Sequence, residues 1–242
     1  MCIHCEDRQN TLALPRRCFL AGAVAIGVRP LADGLIEPVL RLAPAAGERV
    51  VALTLDACPG GFDWRIARVL ALQRIPTTIF VTAVWMRQNR QPVDFLLSHR
   101  DIFALENHGA KHVPAVLGTK KIYGIEPAGN FNAILREVED GAAAILLSTG
   151  TGPGWYRGAA GLYSPAALPA ITALGLRIAG YSLNGDAGAS LPAAQVASRI
   201  AAARDGDVIV AHINQPSRPS GQGVIDGVLE LIRQGARFSL LP

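Results

Sequence analysis

Arg49-Val50-Val51-Ala52-Leu53-Thr54-Leu55-Asp56, followed at once by Ala57-Cys58-Pro59-Gly60-Gly61, decides how the rest of the chain is read. A β-branched apolar run that ends in a carboxylate and is broken by Pro and Gly is a buried strand carrying Asp56 to its C-terminal end. Working outward, residues 62–74 repeat apolar side chains at Phe62, Ile66, Val69, Leu70 and Leu72, a helical spacing, and Pro76 opens a second strand over 77–82. The same alternation predicts helices over 93–98, 130–148, 165–174, 192–204 and 224–234, and strands over 102–105, 155–157, 177–182, 207–212 and 237–241. Seven strands with intervening helices imply an α/β fold in one domain, a mainly parallel sheet covered by helices. Periodicity does not separate an open sheet from a closed barrel. In both, the C-terminal strand ends carry the site, so Asp56, Glu106-Asn107-His108, Arg157, Asn184 to Asp186, and His212 are expected at one mouth.

Composition agrees with a packed core and narrows the partners. Of 242 residues, 50% are apolar and 17% charged, which excludes a largely disordered chain. The net charge of +4 comes from Lys and Arg spread along the chain, and aromatic residues make up 6%. A nucleic-acid surface needs a basic stripe or stacking platforms, so no nucleic-acid partner is expected.

The N-terminal stretch reads differently. Arg16-Arg17 is followed by an uncharged apolar run from Cys18 to Val28, too short to cross a bilayer. Arg16, Arg17, Phe19 and Leu20 resemble the Arg-Arg-x-Phe-Leu signature of twin-arginine export signals. This implies an export leader over residues 1–45, with Ala43-Pro44-Ala45 before Ala46 as the small-x-small cleavage site, and a folded domain over 46–242. The expected location is then periplasmic or secreted, with the export machinery as a partner through the leader and no membrane anchor after cleavage. Cys2, Cys5 and Cys18 fall in the leader, leaving Cys58 alone in the domain. No internal disulfide is then possible, and a lone thiol in an oxidising compartment reads as a small core residue.

Two imidazoles four residues apart, His108 and His112, follow the strand at 102–105 with metal-ligand spacing, provided the segment turns so that both face one point. Asp56 and His212 end strands, where each by itself reads as a cap or a hydrogen-bonded core group. Converging on one mouth with the histidine pair, they supply what metal-assisted hydrolysis requires.

The order of motifs resembles polysaccharide deacetylases of the NodB-homology type, carbohydrate esterase family 4. The matching stretches are Thr54-Leu55-Asp56-Ala57-Cys58-Pro59, Asn107-His108-Gly109-Ala110-Lys111-His112, Arg157-Gly158-Ala159-Ala160-Gly161, Asn184-Gly185-Asp186-Ala187-Gly188 and Val210-Ala211-His212. The resemblance implies a distorted (β/α) barrel of about seven parallel strands and a hydrolase that removes acetyl groups from an N- or O-acetylated polysaccharide or oligosaccharide. It also implies a divalent metal, zinc first, with cobalt or nickel as alternatives. By position Asp56 is the general base, His108 and His112 are metal ligands, Arg157 holds the charge of Asp56, and Asp186 orients His212, the general acid. The family's second aspartate, a metal ligand, falls on Ala57, whose methyl group coordinates nothing. Three replacements stay open: Asp63, which keeps a hard carboxylate and is preferred, Asp56 itself, and, ranked last, the thiolate of Cys58. The third motif lacks the family's proline and aromatic. Sugar-stacking surfaces are sought in Trp64, Trp85, Trp155, Tyr156 and Tyr163. Two rival readings are a glycan-binding protein without metal and a small-molecule C–N hydrolase of the same superfamily.

Overall fold

The computed structural model describes residues 24–44 and 47–242. The arginine pair, Cys2, Cys5, Cys18 and the Ala45-Ala46 junction lie outside the described residues.

The strand read first is β3 (Val50–Ala57), and around it lies a curled, half-closed barrel of parallel strands in one domain, as expected. Neighbours run β7 (Arg177–Ile178), β6 (Trp155–Tyr156), β5 (Phe103–Asn107), β4 (Thr77–Val81), β3, β9 (Val208–His212) and β8 (Leu183–Asn184). A further short strand, β10 (Arg237–Phe238), pairs in parallel with the start of β3. The pairings along this path are all parallel, and the register sets Asp56 beside His212 and Phe80, and Val81 beside Asn107. Polar strand ends therefore come level at one rim.

β3 has two apolar faces because helices cover one side and the barrel fills the other. Val51, Leu53, Leu55 and Ala57 join the helix-side core with Ile66, Val196 and Val224. Ala52 joins Phe80, Trp155 and Val208 in the interior. The period of two then turns Thr54 and Asp56 inward as well.

Helices α1 (Trp64–Leu72), α2 (Ala83–Gln88), α3 (Arg90–Ser98), α4 (Phe131–Thr149), α5 (Ala167–Thr172), α6 (Ala193–Ala201) and α7 (Ser220–Arg233) fall at or near the expected places, apart from α2. The segment after Val81 had no helical reading of its own, yet Thr82 caps α2 by accepting the Trp85 N–H, and Trp85 and Met86 bury in the helix-side core. Asn130 caps α4, whose C-terminal Gly150 adopts the left-handed conformation. The strand expected over 177–182 keeps only Arg177–Ile178 as β7, and β8 (Leu183–Asn184) begins after it as a separate strand.

The larger addition is an antiparallel hairpin, β1 (Val24–Pro30) with β2 (Ile36–Leu42), inside the stretch expected to be leader. β2 belongs to the folded body. Leu40 is fully buried and packs with Leu42, Ala52, Phe80, Trp155 and Val208. Ile36 exchanges backbone hydrogen bonds with Tyr163, and Arg41 pairs with Asp207 at 2.7 Å. Residues 36–42 of the stretch expected to be leader thus pack into the folded body, while β1 is largely exposed and pairs with β2. Leu40→Ala is expected to cost about 2–5 kcal/mol, because the strand lies over the barrel interior and cannot collapse into the space left. Denaturant unfolding reads this directly, and an unchanged midpoint would mean that β2 contributes nothing to the body. Among the described residues no helix is long and apolar enough to cross a membrane.

Candidate active site

A cleft of about 760 Å³ opens at the C-terminal rim of the strands, and Asp56, Cys58, His108, His112, Arg157 and His212 all line it. Its size suits a short saccharide or drug-sized ligand.

Arg157 is its buried anchor. Leaving β6, it reaches across the interior to Asp56, with Nη1 2.8 Å from Oδ1, and donates also to the Thr54 hydroxyl and to the carbonyls of Ala179 and Gly180. The guanidinium lies 4.2 Å over the Phe80 ring. Burial alone would raise the Asp56 pKa, but the positive charge of Arg157, with His108 and His212, outweighs it and holds the carboxylate below its ordinary value. Oδ2 of Asp56 is turned to His108, 4.0 Å from Nε2.

The histidine pair meets without a helical turn. After β5 the chain runs irregularly through residues 108–116, and His112 takes a left-handed φ of 68°. The two rings end with centroids 4.9 Å apart. His108 donates from Nδ1 to the Arg157 carbonyl at 2.6 Å, which fixes its tautomer and leaves the Nε2 lone pair facing the cleft.

Cys58 completes this corner. Its Sγ lies 3.4 Å from His108 Nε2, and donor atoms of Cys58, His108 and His112 all fall within 4.8 Å of one another. Burial would raise the thiol pKa, but the neighbouring imidazoles, His108 first, prevail and lower it well below the ordinary value. Cys58 is therefore a cleft residue, which corrects its reading as an inert core thiol. The period of two along β3 carries this signal, because Thr54, Asp56 and Cys58 share a face while Ala57 points into the helix-side core.

Asp63, the preferred replacement ligand, sits elsewhere. It caps α1 by accepting the Arg65 backbone N–H at 3.0 Å, and its carboxylate forks onto the Arg65 guanidinium at 2.9 and 2.6 Å. It does not line the cleft and is absent from the histidine cluster. A helix N-terminus and an arginine together already satisfy this capping carboxylate.

On the opposite wall, buried Asp186 accepts the His212 backbone N–H at 2.8 Å and faces Nδ1 at 3.0 Å. Burial would lower the His212 pKa, but the hydrogen bond to Asp186, aided by Cys58, raises it well above the ordinary value. Asp186 also sits in a tight turn, its carbonyl accepting from Ser190 and Leu191. Both readings of that motif therefore describe one residue.

The expected sugar-stacking surfaces are not where the sequence suggested. Trp85, Trp155, Tyr156 and Tyr163 are buried, and Trp64 packs against Phe62 and Phe95. The Tyr163 hydroxyl takes the Gly158 N–H at 2.6 Å. Tyr123 and Tyr181 line the cleft instead, and Tyr123 is 82% exposed at its rim. Sequence reading also missed Glu37, which β2 brings to the cleft, where it accepts from the Tyr181 hydroxyl and pairs with Arg29. None of these three residues lies in a motif, and Glu37 reaches the cleft only because the hairpin packs there.

A parallel half-barrel with a histidine pair, a buried Asp–Arg pair and an Asp–His pair at one rim defines a class of hydrolase, and the comparisons agree. Residues 43–179 match the polysaccharide deacetylase family model, and the chain belongs to that family. The family supports a hydrolase acting on carbon–nitrogen bonds, and its structural neighbours include pseudoenzymes. No curated protein sequence matches the chain. Among solved structures, it is similar to the peptidoglycan deacetylase PdaC from Bacillus subtilis, with 18% identity over 81% of this chain and 89% of that one, TM-score 0.65. It is similar also to a family 4 carbohydrate esterase from Streptomyces lividans in complex with acetate, with 18% identity over 80% and 93%, TM-score 0.64. A family 4 pseudoenzyme from Bacillus anthracis matches with 15% identity over 83% and 68%, TM-score 0.64.

Proposed function

We propose that this protein is an exported, metal-dependent hydrolase that removes acetyl groups from an N- or O-acetylated glycan of the cell envelope or matrix. The observation that carries this reading is the meeting of Cys58, His108 and His112 donors in the same cleft as the Asp56–Arg157 and Asp186–His212 pairs.

The donor set fits zinc. Sulfur and nitrogen ligands at roughly 2.3 and 2.0 Å from a tetrahedral zinc stand about 3.5 Å apart, and Cys58 Sγ lies 3.4 Å from His108 Nε2. One thiolate and two imidazoles leave the fourth position open, as catalytic zinc sites do. Cys58, His108 and His112 would hold the ion, with Cys58 in place of the missing aspartate. When bound, the ion supplies Lewis acidity, polarising an acetyl carbonyl and acidifying water.

Asp56 takes up a proton on Oδ2, because Oδ1 is held by Arg157, and the guanidinium keeps it ionised and in place. His212, kept protonated by Asp186, returns a proton to the departing amine or hydroxyl. Tyr123, Tyr181 and Glu37 present rings and an acceptor to a sugar. The Arg16-Arg17 signature supports export, and the packing of β2 into the body favours a leader that ends before Ile36. The peptidoglycan deacetylase activity named for the Bacillus subtilis neighbour agrees with an envelope glycan.

A metal-free glycan binder is the second reading, favoured by Ala57 and by likeness to a pseudoenzyme. Metal content and acetate release separate the two. Purified protein is expected to hold one zinc per chain and to release acetate from N-acetylated chito-oligosaccharides or acetylated xylan. Absence of stoichiometric zinc, cobalt or nickel, with no acetate released when each is added, overturns the hydrolase.

A further inference from the structure

The loop that carries His112 is held by a buried carboxylate that no motif contains. Glu137, on the second turn of α4, is 7% exposed, and its Oε1 accepts two backbone N–H groups, Lys111 at 2.8 Å and Val113 at 3.1 Å. These are the amides on either side of His112, whose left-handed φ of 68° is one that side-chain-bearing residues adopt at a cost. The Glu137 backbone carbonyl takes a third N–H, that of Ala110, at 2.9 Å.

The rest of α4 is shaped for the same contact. Gly141, one turn after Glu137, lets the helix lie directly on Asn107 and Gly109, since a Cβ there would collide with both. Gly109, with φ 87°, is bare where Glu137 passes. Asn107 closes the arrangement by donating to the Val138 carbonyl and accepting from the Gly109 N–H, both at 2.8 Å. From Asn107 to Val113 the loop is thus tied to one helix face, and Glu137 holds the end at which the imidazole of His112 is aimed.

Resting on the metal-dependent reading above, we infer that Glu137 is a positioning residue for the metal centre, setting the direction of His112 through the flanking amides without touching ion or substrate. A partner that orients a ligand typically governs metal affinity by about 10–100-fold. Because one oxygen makes both hydrogen bonds, a glutamine at this position keeps the acceptor, whereas alanine removes it.

The test is zinc affinity by chelator competition on wild type, Glu137→Ala and Glu137→Gln, together with the visible spectrum of each cobalt-loaded protein. Expected are a loss of about 10–100-fold in Glu137→Ala with an altered cobalt spectrum, and near-wild-type values in Glu137→Gln. A purely structural role would lower the melting temperature of Glu137→Ala and leave affinity and spectrum unchanged, which overturns the inference, as does a glutamine variant as weak as alanine. Should Glu137→Ala fail to fold, amide hydrogen exchange in wild type decides: slow exchange at Lys111 and Val113 supports the inference and fast exchange overturns it. A wild type that binds no metal refutes the metal reading itself, an outcome distinct from a wild type that binds tightly with Glu137→Ala binding equally well.

Discussion

Cys58→Ala is expected to lose zinc by on the order of 100-fold or more in affinity, because even residues that merely support a ligand account for about 10–100-fold. Acetate release should fall with it. Two further observations bear on the assignment. Cobalt-substituted wild type is expected to show intense near-ultraviolet thiolate-to-cobalt absorption that Cys58→Ala lacks, and Cys58→Asp should recover binding, since residue 58 shares the cleft with both histidines. If Cys58→Ala binds zinc as tightly as wild type, the thiolate is not a ligand. Asp63→Ala is the contrasting variant: its carboxylate is bound to Arg65 and the start of α1, so metal affinity should not change.

The second large effect is in stability. Arg157→Met should destabilise the fold by about 3–5 kcal/mol, the cost of leaving a buried charge without its partner. Arg157 is 1% exposed and Asp56 6%, so water cannot take over the missing interaction, and the Thr54 hydroxyl with the Ala179 and Gly180 carbonyls loses its donor as well. Replacing both members, as Arg157→Met with Asp56→Asn, should regain much of the loss while remaining inactive, because the proposed proton acceptor is gone. Urea unfolding of the two variants reads the difference. A destabilisation below about 1 kcal/mol in the single variant, the range of exposed pairs, would show that Asp56 is not held as a buried ion.

Both predictions separate kinds of information in the chain. The alternation of strand and helix is legible because burial on a strand and on a helix repeats at 2 and 3.6 residues, periods visible within a dozen positions. Asp56, His108 and His212 are legible because a polar residue at the end of an apolar strand has one direction to face, toward the rim. Pieces that follow directly on another element escape this reading, such as β8 just after the strand expected over 177–182 and the six-residue α2 just after β4.

The proposed third donor shows where local reading stops. Asp63 and Cys58 are both a few residues from Asp56, and ligand hardness favours the carboxylate. Packing decides otherwise, since Asp63 turns back onto its own helix and Cys58 continues the inward face of β3. Sequence order could have suggested this through the parity of 54, 56 and 58, but the Pro59 break hides where the strand geometry ends.

The alternation of strands and helices, the place of Asp56 at a strand end and the spacing of the histidine pair were determined by the amino-acid sequence alone, because they follow from periodic burial and from residue types with few alternative uses, whereas the order of the strands in the sheet was not. The inclusion of β2 in the domain, the arrival of Glu37 and Tyr181 at the cleft, the seating of Cys58 beside two imidazoles, and the grip of Glu137 on the loop of His112 were decided only by tertiary structure. Each depends on contacts between segments far apart in the chain, whose direction is set by how closely packed elements exclude water and one another, and no local pattern encodes that.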